Sequence, residues 1–391
     1  MGFLSGRVTF DRLQVQGTSP RQLGEQQIKL LKKYAIGESE SVSAEAPAVG
    51  FLAGKHLFDL NFDLEKNVVG EALHAAIRID VSKVPGPLRK AWLEMELAVL
   101  AAESPNGRVT RAMRQEAKEA VQARCDEELR SGKFKRMQQI PFLWDVAEKT
   151  VYCGSSSPAV QEHLRALFES AFDLSLTRVS SGTLAEQLAE TKDWTKAFEK
   201  LAPSQFSPDG ATEQLDWLSE RPECADYLGN EWLLWLWWWL ETQADSIELP
   251  DGTTVTGMLV KTLSLQCPRG ETGKETISAE APAQLPEAFQ AVRSGKLPRK
   301  VGMTLVRDGE TYELSLQVET LSVSGAAIES GERERGRNAL EERIASIRRL
   351  SETIDLLFEA FCARRLGRKW SGELEQIQKW LEQSSSKPRK R

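Results

Sequence analysis

The sequence lacks most of the patterns by which an enzyme can be recognised. It contains only three histidines, His56, His74 and His163, and none stands near a cysteine or an aspartate at the spacing of a metal-ligand set. No phosphate-binding GxxxxGK[ST], dinucleotide-binding GxGxxG or nucleophile-elbow GxSxG pattern occurs. We therefore predict a protein that is not an enzyme and that carries no cofactor and no metal.

The sequence also lacks paired cysteines and long apolar runs. Its densest apolar run, WLLWLWWWL at 232–240, has nine residues, whereas a membrane-spanning helix needs about 20. No basic leader precedes an apolar core at the N-terminus. We therefore expect a cytoplasmic protein without a membrane partner. The five cysteines lie far apart and form no CxxC motif, which is typical of a reducing compartment; they are Cys125, Cys153, Cys224, Cys267 and Cys362.

Charge is unevenly distributed along the chain. The net charge is −6, and the window 190–245 holds twelve acidic and four basic residues. That window alone carries −8, so the rest of the chain sums to +2. An acidic isoelectric point is therefore compatible with nucleic-acid binding, because local charge determines such contacts.

The segment 85–144 predicts a charged helical arm that returns to the body of the protein through a basic segment, RSGKFKR at 130–136. Thr110 is expected to cap a helix over 111–130, which has few apolar residues and must face solvent or a partner. Residues 108–139 hold nine Lys or Arg against five Asp or Glu. Cations of this kind neutralise phosphates without reading sequence, so we predict duplex DNA as the partner. The candidate contacts are Arg111, Arg114 and Lys118 on one helix face, which Arg124 can also share, and Lys133, Lys135 and Arg136 in the basic segment.

The pattern of strands and helices predicts an α+β fold with two antiparallel-sheet lobes, packed helices, the charged arm and a long C-terminal helix. Ser19-Pro20 is expected to open the first helix, and 48–53 is expected to pair with 56–62 as a hairpin. We favour a strand for 71–81, and we expect the five-tryptophan helix over 229–244 to lie in the core. The predicted units are 1–84, N-terminal body; 85–136, arm; 137–180, return of the body sheet; 181–228, acidic helical insert; 229–330, tryptophan-rich helix and C-terminal sheet; and 331–391, long helix, short helix and basic tail.

The order of these segments resembles the RdgC family of bacterial recombination-associated DNA-binding proteins. The resemblance covers most of 1–180 and 229–366 and rests on scattered similarity rather than on an invariant motif. It is carried by Val49-Gly50-Phe51, by ALHAAIRID at 72–80, by Phe134-Lys135-Arg136, by Leu143-Trp144-Asp145, and by the stretch from Leu285-Pro286-Glu287 through RSGKL at 293–297 to VGMTL at 301–305.

The resemblance implies a ring-shaped homodimer whose positively charged hole encloses duplex DNA regardless of sequence. Bound protein would limit the access of a RecA-type recombinase to the nucleoid DNA and so restrain recombination. Phe134 matches the family's aromatic residue at the arm tip, where partners meet, and Arg136 matches a nearby basic position. The family's lysines before the helix at 285 are replaced by SAEA at 278–281, so Arg299 and Lys300, or the basic tail at 384–391, would supply cations instead.

Two other functions remain open from the residues. A metal-dependent nuclease could use carboxylates such as Asp80, Glu94 and Glu96. A protein-interaction scaffold could use the tryptophan-rich helix or the acidic insert.

Overall fold

A computed structural model describes residues 2–37, 47–104, 106–206, 225–268, 273–328 and 336–383, and it confirms the predicted α+β class. The strands are β1 Val8–Gln16, β2 Ala48–Leu52, β3 Val68–Val69, β4 Ala72–Ser82, β5 Lys135–Asp145, β6 Thr150–Cys153, β7 Ser175–Arg178, β8 Ser246–Glu248, β9 Thr254–Gln266, β10 Lys274–Ala279, β11 Leu297–Arg307, β12 Glu310–Gln317 and β13 Ser322–Ala327. The helices are α1 Glu25–Lys33, α2 Leu64–Asn67, α3 Gly86–Glu103, α4 Arg111–Arg130, α5 Pro158–Phe172, α6 Ser181–Thr191, α7 Thr195–Phe198, α8 Tyr227–Thr242, α9 Pro286–Arg293, α10 Arg337–Arg365 and α11 Trp370–Gln383.

The strands join into one antiparallel sheet because β1 belongs to both halves of it. The main path runs β10-β9-β11-β12-β13-β1-β6-β5-β4-β2. The first residues of β1 pair with β13, through Val8↔Ala326 and Phe10↔Val323. From Asp11 onward the same strand pairs with β6. The two predicted lobes are therefore continuous through a single nine-residue strand.

Two large hydrophobic cores lie against this sheet. One packs α1 and α5 against the N-terminal strands, with Phe51, Phe142, Trp144 and Phe168 at its centre. The other packs α8, α10 and α11 against the C-terminal strands. Side chains alternate between the two faces of each strand, so the N-terminal strands contribute side chains to both cores. Phe142 and Trp144 of β5 enter the first core, and Leu143 enters the second.

The tryptophan-rich helix α8 lies in the C-terminal core, as predicted. Trp232 packs edge-on against Phe358 of α10, with ring centroids 5.3 Å apart, and Trp237 packs against Trp380 of α11 at 5.2 Å. Gly229 lets this helix approach the chain after β12, because a Cβ there would stand 2.2 Å from the Val318 carbonyl oxygen. The tryptophans are thus structural, and they present no platform to solvent over 232–238.

Two local predictions in the first 70 residues are wrong. The first helix begins at Glu25, because Gln27 accepts a hydrogen bond from the Gly24 backbone N–H at 2.9 Å and fixes the start there. The segment 56–62 is a loop, and β2 pairs instead with β4, in the register Ala48↔Asp80. The partner of β2 is therefore distant in sequence, which local pattern does not reveal.

The predicted acidic insert at 181–228 is described only in part. Its helix α6 and the residues after α7 pack into the C-terminal core through Ala185 and Phe206. Residues 207–224 and the basic tail at 384–391 lie outside the described residues. None of the helices in the described ranges is long and apolar enough to span a bilayer.

Candidate nucleic-acid interface

Helices α3 and α4 form an arm with a hydrophobic cluster of its own. Trp92 of α3 meets Val121 and Cys125 of α4. Among the described residues, Val84 and Phe134, which flank the two helices, also belong to this cluster. Thr110 caps α4 as predicted, and its hydroxyl accepts a hydrogen bond from the Met113 N–H at 3.2 Å. The arm is thus stabilised separately from the two large cores.

One stripe of α4 carries the first three predicted contacts. Arg111, Arg114 and Lys118 are all exposed. At about 100° of rotation per residue, their positions fall within roughly 60° of one another on the helix surface. In the part of the chain that the structure describes, none of the three lies within ion-pair distance of a carboxylate. Glu119, which lies farther round the helix, accepts a hydrogen bond from Gln115 at 2.9 Å. The stripe therefore presents three cations with no carboxylate between them on the helix surface.

The basic segment does not form a single cluster in space. Lys133 pairs with Glu128 at 3.0 Å, and Lys135 pairs with Asp80 at 3.0 Å. Arg136 is exposed and pairs with no carboxylate among the described residues. Successive residues of a strand face opposite sides, so Lys135 lies on the face of Asp80, whereas Arg136 lies on the other. Acids from α4 and β4 thus neutralise two of the three cations.

Asp80 is held by two cations and is not free to ligate a metal. Arg78 binds it through two nitrogens, at 2.7 and 2.6 Å, and Lys135 adds the ion pair. Burial alone raises the pKa of the Asp80 carboxyl, but the hydrogen bonds from Arg78 and Lys135 outweigh it and lower the pKa. Glu94 lies on α3, 3.8 Å from Lys90. Two of the three carboxylates considered for a nuclease, Asp80 and Glu94, are therefore engaged in ion pairs. The described residues contain no group of three or more potential metal ligands.

Arg299 and Lys300 lie apart from the arm. They belong to β11, which four strands separate from β5, so they stand about 25 Å away across the sheet. Arg299 pairs with the buried carboxylate of Glu319 at 2.5 Å and donates to Gln266 at 2.6 Å. Lys300 is half-buried, opposite Gln317 of β12. Arg299 is therefore built into the C-terminal half, and the structure does not bring this pair to the predicted surface.

Phe134 lies at the base of the arm. It follows α4, which is 20 residues long, so the start of that helix at Arg111 is about 30 Å from it. Its ring packs against the arm cluster beside Val84, and the Lys133 ammonium lies 6.0 Å from the ring centroid. The resemblance had placed this aromatic residue at the arm tip. The structure gives it instead a packing role where the arm joins β5.

Two basic residues of the arm make contacts between its helices, and one of them, Arg124, does not join the stripe as the sequence allowed. Arg124 stacks over the Trp92 ring at 4.4 Å, and Arg89 donates to Gln122 at 2.9 Å. Both bridge α3 and α4. For Arg124 the signal in the sequence is the seven-residue step from the buried Ala117, which places Arg124 next to the buried side of α4.

No protein-family model matches the chain, and a search of curated proteins returns no significant match. The resemblance to the RdgC family therefore stays a prediction.

Proposed function

We propose that this chain binds duplex DNA without sequence specificity through the stripe Arg111, Arg114 and Lys118. The observation that supports the proposal is that these three exposed cations share one side of a separately stabilised arm and pair with no carboxylate in the described ranges. Such cations release counterions from the DNA backbone, which provides affinity without base contacts.

The proposed assembly is a homodimer that encloses DNA in a ring and, like the family it resembles, restrains a RecA-type recombinase by occupying its substrate. A ring suits the small number of free cations, because topological enclosure keeps the protein on DNA without many strong contacts. Arg136, exposed on the sheet face opposite to that of Lys135, adds a cation that pairs with no carboxylate among the described residues.

The first experiment measures duplex affinity against salt concentration by fluorescence anisotropy. In the variant Arg111→Gln/Arg114→Gln/Lys118→Gln, the slope of log K against log salt should become shallower by about 0.9 for each cation removed, or roughly 3 per protomer. The matched control is Lys29→Gln/Lys32→Gln/Lys33→Gln, which removes three exposed cations from α1. Equal slopes for the two triple variants would refute the stripe as the DNA contact.

A second experiment tests enclosure. The protein is loaded on nicked circular plasmid and washed at high salt, and retention is compared after the plasmid has been linearised. A closed ring remains on the circle and slides off the linear form. Equal loss from both would show that the dimer does not encircle DNA, whatever its affinity.

A further inference from the structure

The loop between β2 and α2 displays two apolar side chains to solvent. Phe58 is 64% exposed and Leu60 is 50% exposed, whereas Asp59 between them is buried. This arrangement reverses the usual one, in which the aromatic residue packs inward and the carboxylate faces water. The Asp59 side chain therefore occupies the interior of the loop, and Phe58 faces solvent.

Hydrogen bonds around Asp59 fix this loop. Its side chain accepts from the Lys55 N–H at 2.9 Å, from the Asn61 N–H at 3.2 Å and from the Lys66 ammonium at 2.5 Å. Burial alone raises the pKa of Asp59, but the hydrogen bond from Lys66 and those from the backbone outweigh it and lower the pKa. The backbone of the loop is also tied to the sheet, since Gln139 of β5 donates to the Gly54 carbonyl oxygen at 2.9 Å. The outward position of Phe58 is thus preorganised.

The guanidinium group of Arg78 packs over the Phe58 ring. The Arg78 guanidinium carbon lies 5.4 Å from the ring centroid, and Arg78 also donates to the Leu57 carbonyl oxygen at 3.3 Å. Arg78 and Lys135 share the single carboxylate of Asp80, so this cluster carries one excess positive charge. Lys55 is exposed in the loop itself. The ring therefore offers solvent an apolar surface, with the Arg78 guanidinium against it and the exposed Lys55 in the same loop.

We infer that Phe58 is a stacking platform for an unpaired nucleobase of single-stranded DNA, with the exposed Lys55 of the same loop as the cation for a flanking phosphate. Every base has a π-face, so a rigid exposed aromatic ring with nearby cations binds single strands without sequence preference. The guanidinium of Arg78 strengthens such a stack from the opposite side of the ring. The inference deepens the proposed function, since it adds a separate single-strand site to a duplex-binding protein.

The experiment compares a short single-stranded oligothymidine with an abasic strand of the same length, by fluorescence anisotropy at one salt concentration. Phe58→Ala should weaken binding of the oligothymidine by about tenfold and leave binding of the abasic strand unchanged. Phe58→Trp should retain or increase the affinity for the oligothymidine. Met258→Ala is the matched control, because Met258 of β9 is 60% exposed and should not affect either strand.

Duplex binding by the same proteins separates the two proposals. If duplex binding depends on the α4 stripe while Phe58→Ala weakens oligothymidine and abasic strands equally, the stacking site is wrong and the proposed function stands. If Phe58→Ala weakens binding of oligothymidine but not of the abasic strand, while the stripe variant leaves duplex affinity unchanged, the stacking site stands and the proposed function is wrong. A concentration-dependent dimer, seen by sedimentation without DNA and abolished by Phe58→Ala, would instead assign this surface to a second copy of the chain and overturn the inference.

Discussion

Arg12 of β1 and Asp355 of α10 form a bidentate ion pair although 343 residues separate them in the chain, with nitrogen–oxygen distances of 2.5 and 2.6 Å. Arg12 follows the point at which β1 passes from pairing with β13 to pairing with β6. The pair therefore ties the strand that joins the two halves of the sheet to the long helix that covers the C-terminal core.

Breaking this pair should destabilise the whole protein. Asp355→Asn leaves the Arg12 guanidinium, whose side chain is only 7% exposed, without its counter-charge. We expect the free energy of unfolding in urea to fall by about 3 kcal/mol. Glu94→Gln, which breaks the exposed Lys90–Glu94 pair, is the control and should change little. Comparable small losses in both variants would show that the Arg12–Asp355 pair does not couple the halves.

The separate cluster of the arm predicts that the arm can unfold locally. Trp92→Ala removes the largest side chain of that cluster and should cost the arm about 3 kcal/mol. We expect faster backbone hydrogen exchange in α3 and α4, with little change in α8 or β5. Trp232→Ala, in the C-terminal core, should instead accelerate exchange across that core. Uniform acceleration after Trp92→Ala would mean that the arm unfolds only together with the body.

How well each part of the fold can be predicted depends on how local its determinants are. Helix α4 spans the predicted 111–130 because Thr110 caps it and the side chain of the cap contacts the same helix. Strand β4 also follows its pattern, whereas β2 was assigned the wrong partner because that partner begins twenty residues later in the chain. Alternation and capping are readable along a sequence, but the choice among strands of similar pattern is made in the folded core.

The candidate site shows the same limit. The exposure of Arg111 and Arg114 follows from a helix with so few apolar residues. The sequence of the basic segment contains no acid, yet Glu128 and Asp80 reach it from α4 and β4. The sequence also does not reveal that Phe58 faces solvent, because its outward direction is set by the burial of Asp59. Long-range ion pairs and loop geometry determine which cations and aromatics are available to a ligand.

Release of one neutralised cation tests the electrostatic role of the basic segment. Glu128→Gln breaks the pair with Lys133 and should raise duplex affinity by a few-fold at low salt, because Lys133 is then available to a phosphate. Glu127→Gln is the matched control, since it removes one negative charge from an exposed neighbour on the same helix. The two variants have the same net charge, so a larger gain for Glu128→Gln isolates Lys133. Identical gains in duplex affinity would show that only the net charge of the arm matters, and not the release of Lys133.

The burial of His74 predicts that the folded protein loses stability at acidic pH, whether or not DNA is bound. Its side chain is buried in β4, and its Nε2 has no hydrogen-bond partner among the described residues. The backbone confines the ring, since a Cβ built on Gly54 would lie 3.1 Å from the ring carbon Cε1. Burial lowers the pKa of His74 from 6.5 to about 4.

The sign of the effect follows from proton binding. Between pH 6.5 and 4 the unfolded chain binds a proton at His74 that the folded protein does not, so the free energy of unfolding falls as the pH is lowered through this window. The loss should approach about 3 kcal/mol near pH 4 and then level off. Urea titrations of the wild type and of His74→Gln at several pH values measure it, with His163→Gln as the control for loss of a histidine. The difference in stability between the wild type and His74→Gln should change with pH in this window and be constant above it. A constant difference from pH 7 to pH 4 would show that His74 takes up its proton in the folded state as easily as in the unfolded chain.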